Sequence, residues 1–228
     1  MAPYRGIPAG TWWIVAWLGL AGADACPAAT LRGTLHVPAS AQRIEPVSLA
    51  YTGQAGSLPD ARPTVHGAVT DAVIYLDRIP AAAESALAAT DAHPALVQRD
   101  QSFDPRVLAV TVGTTVEFPN ADPIYHNVFS VSPVKRFDLG RYPKGRSKRV
   151  TFDRAGLVNV YCEIHSNMAA FVLVLPNHAF ARPDADGAFA LPDLPPGRYQ
   201  LKVWHPDLPP LERDVELGDA GATVELRY

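Results

Sequence analysis

The segment "YCEIHSNM" (161–168) sets Cys162, His165 and Met168 three residues apart, in a chain with two cysteines and two methionines. The other methionine is Met1, so Met168 is the one thioether inside the chain. A thiolate, an imidazole and a thioether on one tight loop are soft donors, and soft sulfur ligands select copper over hard cations. Two imidazoles and one thiolate make a trigonal set, and a weak axial methionine completes the arrangement used by single-electron copper sites. The loop supplies three of these four donors and needs a second imidazole from elsewhere. His126, in "FPNADPIYHNVFS", follows a turn and opens a strand pattern, which suits it to that role. The bland alternative is a turn that holds one buried cysteine.

Several rival centres lack their residues. There is no C-x-x-C-H for covalent haem attachment and no second nearby cysteine for a two-copper centre. No H-x-H pair of the kind expected in multicopper oxidases occurs. A structural zinc site wants more Cys and His and does not favour Met. A mononuclear, thiolate-bound copper remains. His36, His66, His93, His178 and His205 have no partnered spacing and read as surface or hydrogen-bonded histidines. Asp184 and Asp186, in "DADG", read as a hairpin turn and not as a calcium loop.

The elements that must position these donors are strands. Twenty-two prolines and sixteen glycines punctuate β-branched and aromatic runs, and no sustained 3.6-residue apolar period occurs. The expected fold class is all-β. Residues 30–80 form an N-terminal β segment in which Val73, Tyr75 and Asp77 alternate with Ile74 and Leu76. Residues 81–96 are Ala-, Pro- and Asp-rich and read as a linker or a short helix. Residues 97–175 carry strand patterns at "VLAVTVGTTVEFPN", "HNVFSVS", "KRVTFDRAG", "VNVYC" and "AAFVLVLP", with both halves of the candidate site. Residues 176–228 hold a further small β module, too short for a comfortable core of its own. The N-terminal segment is therefore expected to complete the C-terminal module, with residues 97–175 inserted as a second sandwich.

The first residues, "MAPYRGIPAGTWWIVAWLGLAGADAC", place one Arg before a short apolar run and an A-x-A pattern at Ala23 and Ala25. That is the pattern of a secretory signal peptide, residues 1–25, and the run is too short to span a bilayer. An uncleaved anchor is the alternative. No other stretch is apolar enough to span, so the mature protein is expected to be exported, to the periplasm, without a transmembrane segment. A lipid anchor on Cys26 has a poor approach sequence and is not favoured. Unless Cys26 pairs with it, Cys162 has no disulfide partner in a compartment that oxidises exposed thiols, so it should be buried, reactive or metal-bound.

Residues 103–130 and 150–174 resemble the cupredoxins, the blue-copper family of amicyanin and plastocyanin. The resemblance rests on "FDPRVLAVTVGTTVEFPNADPIYHNVFS" and "VTFDRAGLVNVYCEIHSNMAAFVLV". It implies a Greek-key β-sandwich with His126, Cys162, His165 and Met168 as ligands of one type 1 copper. It also implies Asn127 as a supporting residue whose backbone hydrogen-bonds the thiolate, and electron exit through His165. Ile164 stands where the family has Pro, and Tyr161 is adjacent to the cysteine and not two before it. Ile leaves a backbone N–H that Pro lacks, which puts the potential of the site in question more than its ligation. Residues 184–206 resemble the carboxypeptidase regulatory-like (transthyretin-like) β-sandwich, and the chain as a whole resembles exported proteins labelled methylamine-utilisation-like.

The segment "VKRFDLGRYPKGRSKR" sets seven basic residues, Lys135, Arg136, Arg141, Lys144, Arg146, Lys148 and Arg149, against one Asp. It reads either as a solvated hairpin or as a docking patch for an acidic redox partner. Export and an acidic C-terminal half argue against nucleic acid, and the net charge of −3 names no partner. The expected function is a periplasmic single-electron carrier, not an enzyme, serving a partner such as a c-type cytochrome or a periplasmic dehydrogenase. A copper-holding or delivery protein, or a structural β-protein with a vestigial site, are the alternatives. Oligomeric state is not legible in the sequence.

Overall fold

The computed structural model describes residues 28–45, 64–88 and 94–228. The expected signal peptide, Cys26, His93 and most of the second half of the expected linker lie outside the described residues. The strands, in order, are β1 (Leu31–His36), β2 (Arg43–Glu45), β3 (Thr64–His66) and β4 (Val73–Leu76). After helix α1 (Ala81–Leu87) come β5 (Val97–Arg99), β6 (Ser102–Asp104), β7 (Val107–Thr111), β8 (Thr115–Pro119), β9 (His126–Val131) and β10 (Arg136–Tyr142). Then follow β11 (Ser147–Thr151), β12 (Gly156–Tyr161), β13 (Ala169–Leu175), β14 (Phe180–Ala181) and β15 (Ala188–Ala190). The last three are β16 (Gly197–Trp204), β17 (Leu211–Leu217) and β18 (Ala222–Arg227). The fold is all-β. No helix among the described residues is long and apolar enough to cross a membrane.

Residues 95–175 fold as a β-sandwich. One sheet runs β10-β9-β12-β13-β7, and β8 pairs with β11 opposite it. The core between them takes Val110, Val128, Val158, Val160, Ala170, Val172 and Val174 from the first sheet and Val116, Phe118 and Val150 from the second. Alternation along these strands produces that face: in β12 the buried Val158 and Val160 are two apart, as are the buried Val128 and Ser130 in β9.

Strand β13 breaks the alternation, and its reason lies on the other side of the sheet. "AAFVLVL" is an unbroken apolar run, the signature of a strand covered on both faces. Ala170, Val172 and Val174 face the sandwich core, while Phe171, Leu173 and Leu175 pack with Val73, Tyr75, Val107, Phe180 and Trp204. The outer face of the sheet that carries the candidate site is thus covered by the sheet β14-β4-β16-β17. The ring of Phe171 meets that of Trp204 edge-on at 5.7 Å.

The two ends of the chain meet in the remaining core. β1 runs parallel to β18 and antiparallel to β15, and β4 pairs with β14 and β16. Leu31, Leu35, Ile74, Leu76, Leu201 and Leu226 are buried together there. Helix α1 lies within the stretch read as a linker or short helix; it buries Ala83 in this core, and Glu84 accepts hydrogen bonds from His178 Nδ1 and N–H. "DADG" makes the expected turn: Asp184 Oδ1 accepts from Asp186 N–H and Ala188 N–H, and Gly187 takes a φ of +84° with the Leu35 carbonyl where a side chain would begin.

Candidate metal centre

His126 is the first residue of β9, paired with Tyr142 of β10, and its side chain is fully buried; β12 flanks β9 on its other side through Phe129. Cys162 directly follows the last residue of β12. The chain then turns back on itself: Met168 N–H donates to His165 O at 3.0 Å, and Cys162 N–H donates to Met168 O at 3.2 Å. These two bonds explain the spacing. They close a seven-residue loop that returns into β13 with His165 at its middle and Met168 at its end.

Three donor atoms converge there. His126 Nδ1 and His165 Nδ1 are 3.1 Å apart, and Cys162 Sγ is 3.9 Å from each. A point equidistant from all three lies about 2.1 Å from each, close to the bond length of a metal–imidazole contact and slightly inside that of a metal–thiolate contact. No other group of three or more His, Cys, Asp or Glu among the described residues is so placed. The two rings meet edge to face with centroids 4.8 Å apart. Cys162, His165 and Met168 are buried, Met168 to 1% exposure, and Met168 belongs to the same apolar cluster as Cys162. Two nitrogen donors and one thiol in a dry pocket fit a soft, three-coordinate metal, with a thioether on the closing turn of the same loop.

The electrostatics around His126 come from one carboxylate. Burial lowers the pKa of His126, and the hydrogen bond and charge of Asp122 act against that shift. Asp122 is 3% exposed, and its Oδ2 lies 2.8 Å from His126 Nε2. Its other contacts are Asp100 N–H at 2.7 Å and Gln101 N–H at 3.0 Å. Asn120 builds the turn between them: its Oδ1 accepts from Asp122 N–H, and its Nδ2 donates to the carbonyls of Ile124 and Tyr142. Behind the site, Gln98 Nε2 donates to the Tyr142 hydroxyl, which donates to Phe118 O. Burial pushes the Tyr142 pKa up, the Gln98 hydrogen bond opposes that, and the Cys162 charge adds to the rise.

All four residues expected as ligands lie at this one end of the sandwich. Asn127 is there also, buried, and acts through its side chain: Oδ1 accepts from Glu163 N–H at 3.3 Å, and Nδ2 donates to Asp138. The basic segment divides. Lys135 pairs with Asp153, Arg141 with Glu163 and Arg149 with Glu117, while Lys148 donates to Leu139 O and lies over the Tyr142 ring. Arg136, Lys144 and Arg146 are exposed with no ion pair among the described residues. Lys144 and Arg146 are at the metal end, since Asn120 bonds to Gly145 N–H and to Arg146 O; Arg136 is at the far end of β10. His66, His178 and His205 are all hydrogen-bonded, and His36 is exposed. Asp122, Asn120 and the Asp100–Gln101 turn are the parts that sequence reasoning did not find. "NADP" signals a turn, and nothing in that signal says that its carboxylate points inward.

No protein-family model matches the chain, and no curated protein matches it. Among solved structures, a reduced Cu(I) form of amicyanin is similar at 27% identity, covering 46% of this chain and 98% of its own, with a TM-score of 0.35. The copper-containing nitrite reductase of Thermus scotoductus SA-01 is similar at 29% identity over 42% of this chain and 27% of its own, at a TM-score of 0.36. A purple cupredoxin from Nitrosopumilus maritimus matches at 24% identity over 37% of this chain and 99% of its own, at 0.33.

Proposed function

We propose that the protein is an exported, periplasmic electron carrier of the cupredoxin type, with one type 1 copper held by His126, Cys162, His165 and Met168. The observation that carries this reading is the meeting of two imidazole Nδ1 atoms and one cysteine sulfur around a common point in a buried pocket. Bound there, copper would supply a one-electron couple between Cu(II) and Cu(I). Cys162 would hold the metal as a thiolate, and β9, β12 and the hydrogen-bonded loop 162–168 fix the places of the donors. Met168, buried on the closing turn of the same loop, would add a thioether donor that tunes the potential. No substrate is bound or transformed in this reading. The partner is a second redox protein that docks at the metal end, where Tyr125 is 58% exposed beside His126 and Lys144 and Arg146 are exposed with no ion pair among the described residues. The composite unit built from the two chain ends serves stability or docking.

A second reading, a copper store or delivery protein, takes its support from the burial of His126, Cys162 and His165, which slows metal exchange. Addition of Cu(II) to the purified mature chain, followed by visible and electron-spin-resonance spectra and voltammetry, decides between them. An intense thiolate-to-copper band, narrow copper hyperfine splitting and a reversible one-electron wave are expected of the carrier. Tight Cu(I) binding with no reversible wave would leave the store.

A further inference from the structure

We propose that Asp122 is a positioning residue: its buried carboxylate, fixed by two successive N–H groups of the Asp100–Gln101 turn, holds His126 by Nε2 so that Nδ1 always faces the metal. The β5–β6 hairpin thereby becomes part of the metal centre. An ionised carboxylate only accepts hydrogen bonds, so the 2.8 Å contact to Oδ2 requires the proton to sit on Nε2 of His126. In a neutral ring the lone pair is then on Nδ1, the atom that faces Cys162 and His165. The carboxylate itself cannot swing away. Asp100 and Gln101 hold φ near +53° and +52°, so their successive N–H groups make a nest for an anion. One donates to each oxygen, at 2.7 and 3.0 Å. The turn also accepts a bond from the ligand loop, Asn167 Nδ2 to Gln101 O at 3.3 Å, so it touches both halves of the site.

The two histidines are therefore unequal before metal arrives. With the proton of His126 on Nε2, the 3.1 Å contact between the two Nδ1 atoms needs the proton of His165 on Nδ1. His126 is preset for ligation, whereas His165 must change tautomer to ligate. An ion–imidazole–carboxylate arrangement of this kind orients the ring and strengthens it as a donor, and its loss costs about 10–100-fold in metal affinity.

The test is imidazole proton–nitrogen correlation spectroscopy on the full mature chain, metal-free and loaded with Zn(II) as a diamagnetic probe. It rests on the copper reading only for the choice of site, and its tautomer readout stands whether or not the protein carries electrons. In the metal-free protein His126 should show Nε2–H and His165 Nδ1–H, and Zn(II) should convert His165 to Nε2–H. The Asp122→Ala variant should give a mixed His126 tautomer and bind Zn(II) about 10–100-fold more weakly. An Nδ1–H tautomer at His126 in the unaltered protein overturns the proposal, even if no variant folds. So does an Asp122→Ala protein that folds and keeps a pure Nε2–H ring.

Discussion

Two buried polar clusters in this protein begin alike and end differently. At the join between the sandwich and the composite unit, His66 Nδ1 lies 2.9 Å from Asp207 Oδ1, and Arg106 bridges Asp207 and Asp71 at 2.9 and 2.7 Å. Gly67 N–H takes another lone pair of Asp207, and the guanidinium lies over the ring of Phe171. That cluster closes on itself, since its carboxylates, Asp71 buried and Asp207 partly so, face the partly buried guanidinium of Arg106. At the metal end, His126 likewise bonds a buried aspartate. The far side of its ring then turns to two further donors, His165 and Cys162, with no cation among the three. A histidine on a buried carboxylate is thus not in itself a sign of function. The sign is a set of soft donor atoms that meet at one point with no cation of the protein among them.

The comparison is broken most completely by Cys162→Ser. A hydroxyl is a hard, weakly acidic donor, so the thiolate charge-transfer absorption should vanish and copper affinity should collapse, while thermal unfolding of the metal-free chain changes little. Absorption and electron-spin-resonance spectra after copper addition check the first part, and calorimetry the second. A variant that still turns blue would place the thiolate elsewhere.

Arg106→Met strikes the other cluster. It keeps the volume of the stem but leaves the buried Asp71 and the partly buried Asp207 without their cation, which should cost up to about 3 kcal/mol in denaturant unfolding, the low end for a buried pair. Copper spectra of the folded fraction should not move. The pH dependence follows from Asp207. Burial acts to raise its pKa, but hydrogen bonds from Arg106, His66 and Gly67 N–H outweigh that and hold the carboxyl well below the usual range. A folded pKa below the unfolded one gives stability that is complete above about pH 4 and is lost as pH falls further. Arg106→Met should flatten that acid limb. Equal acid sensitivity in both proteins would mean that other carboxylates govern it.

What was legible in the sequence follows the range of each signal. The loop 162–168 was legible because three rare donors sit within seven residues, and β13 as a strand because "AAFVLVL" is a run of β-favouring apolar residues, though its cover on both faces was not. His126 was legible because it opens a strand. Asp122 was not, since an aspartate four residues ahead of that strand has the same appearance whether it caps a turn or faces inward. The Asp100–Gln101 turn was hidden because it has no Gly, and two successive non-Gly residues at a positive φ are uncommon. Helix α1 was ambiguous because its anchor, Glu84, finds His178 more than ninety residues away. The parallel pairing of β1 with β18 joins the chain's two ends, which no local pattern records.

The smallest expected effect sharpens the surface rather than the core. Lys144 and Arg146 lie on the turn that Asn120 ties to the approach of His126, and Arg136 lies at the opposite end of β10. Seven extended residues separate the ends by roughly 20 Å, beyond the screening length of about 10 Å at 0.1 M salt. If electrons pass at the metal end, Lys144→Glu with Arg146→Glu should slow oxidation of the reduced protein by the hexacyanoferrate(III) trianion. At low ionic strength the effect should be about tenfold, the lower end of electrostatic steering. The same pair should speed oxidation by the tris-phenanthroline cobalt(III) trication, and added salt should erase both effects. Arg136→Glu, a reversal at the far end, should move neither rate. Equal responses to reversal at the two ends would mean that the oxidants sense only net charge, and Lys144 and Arg146 would then mark no face for electron exchange.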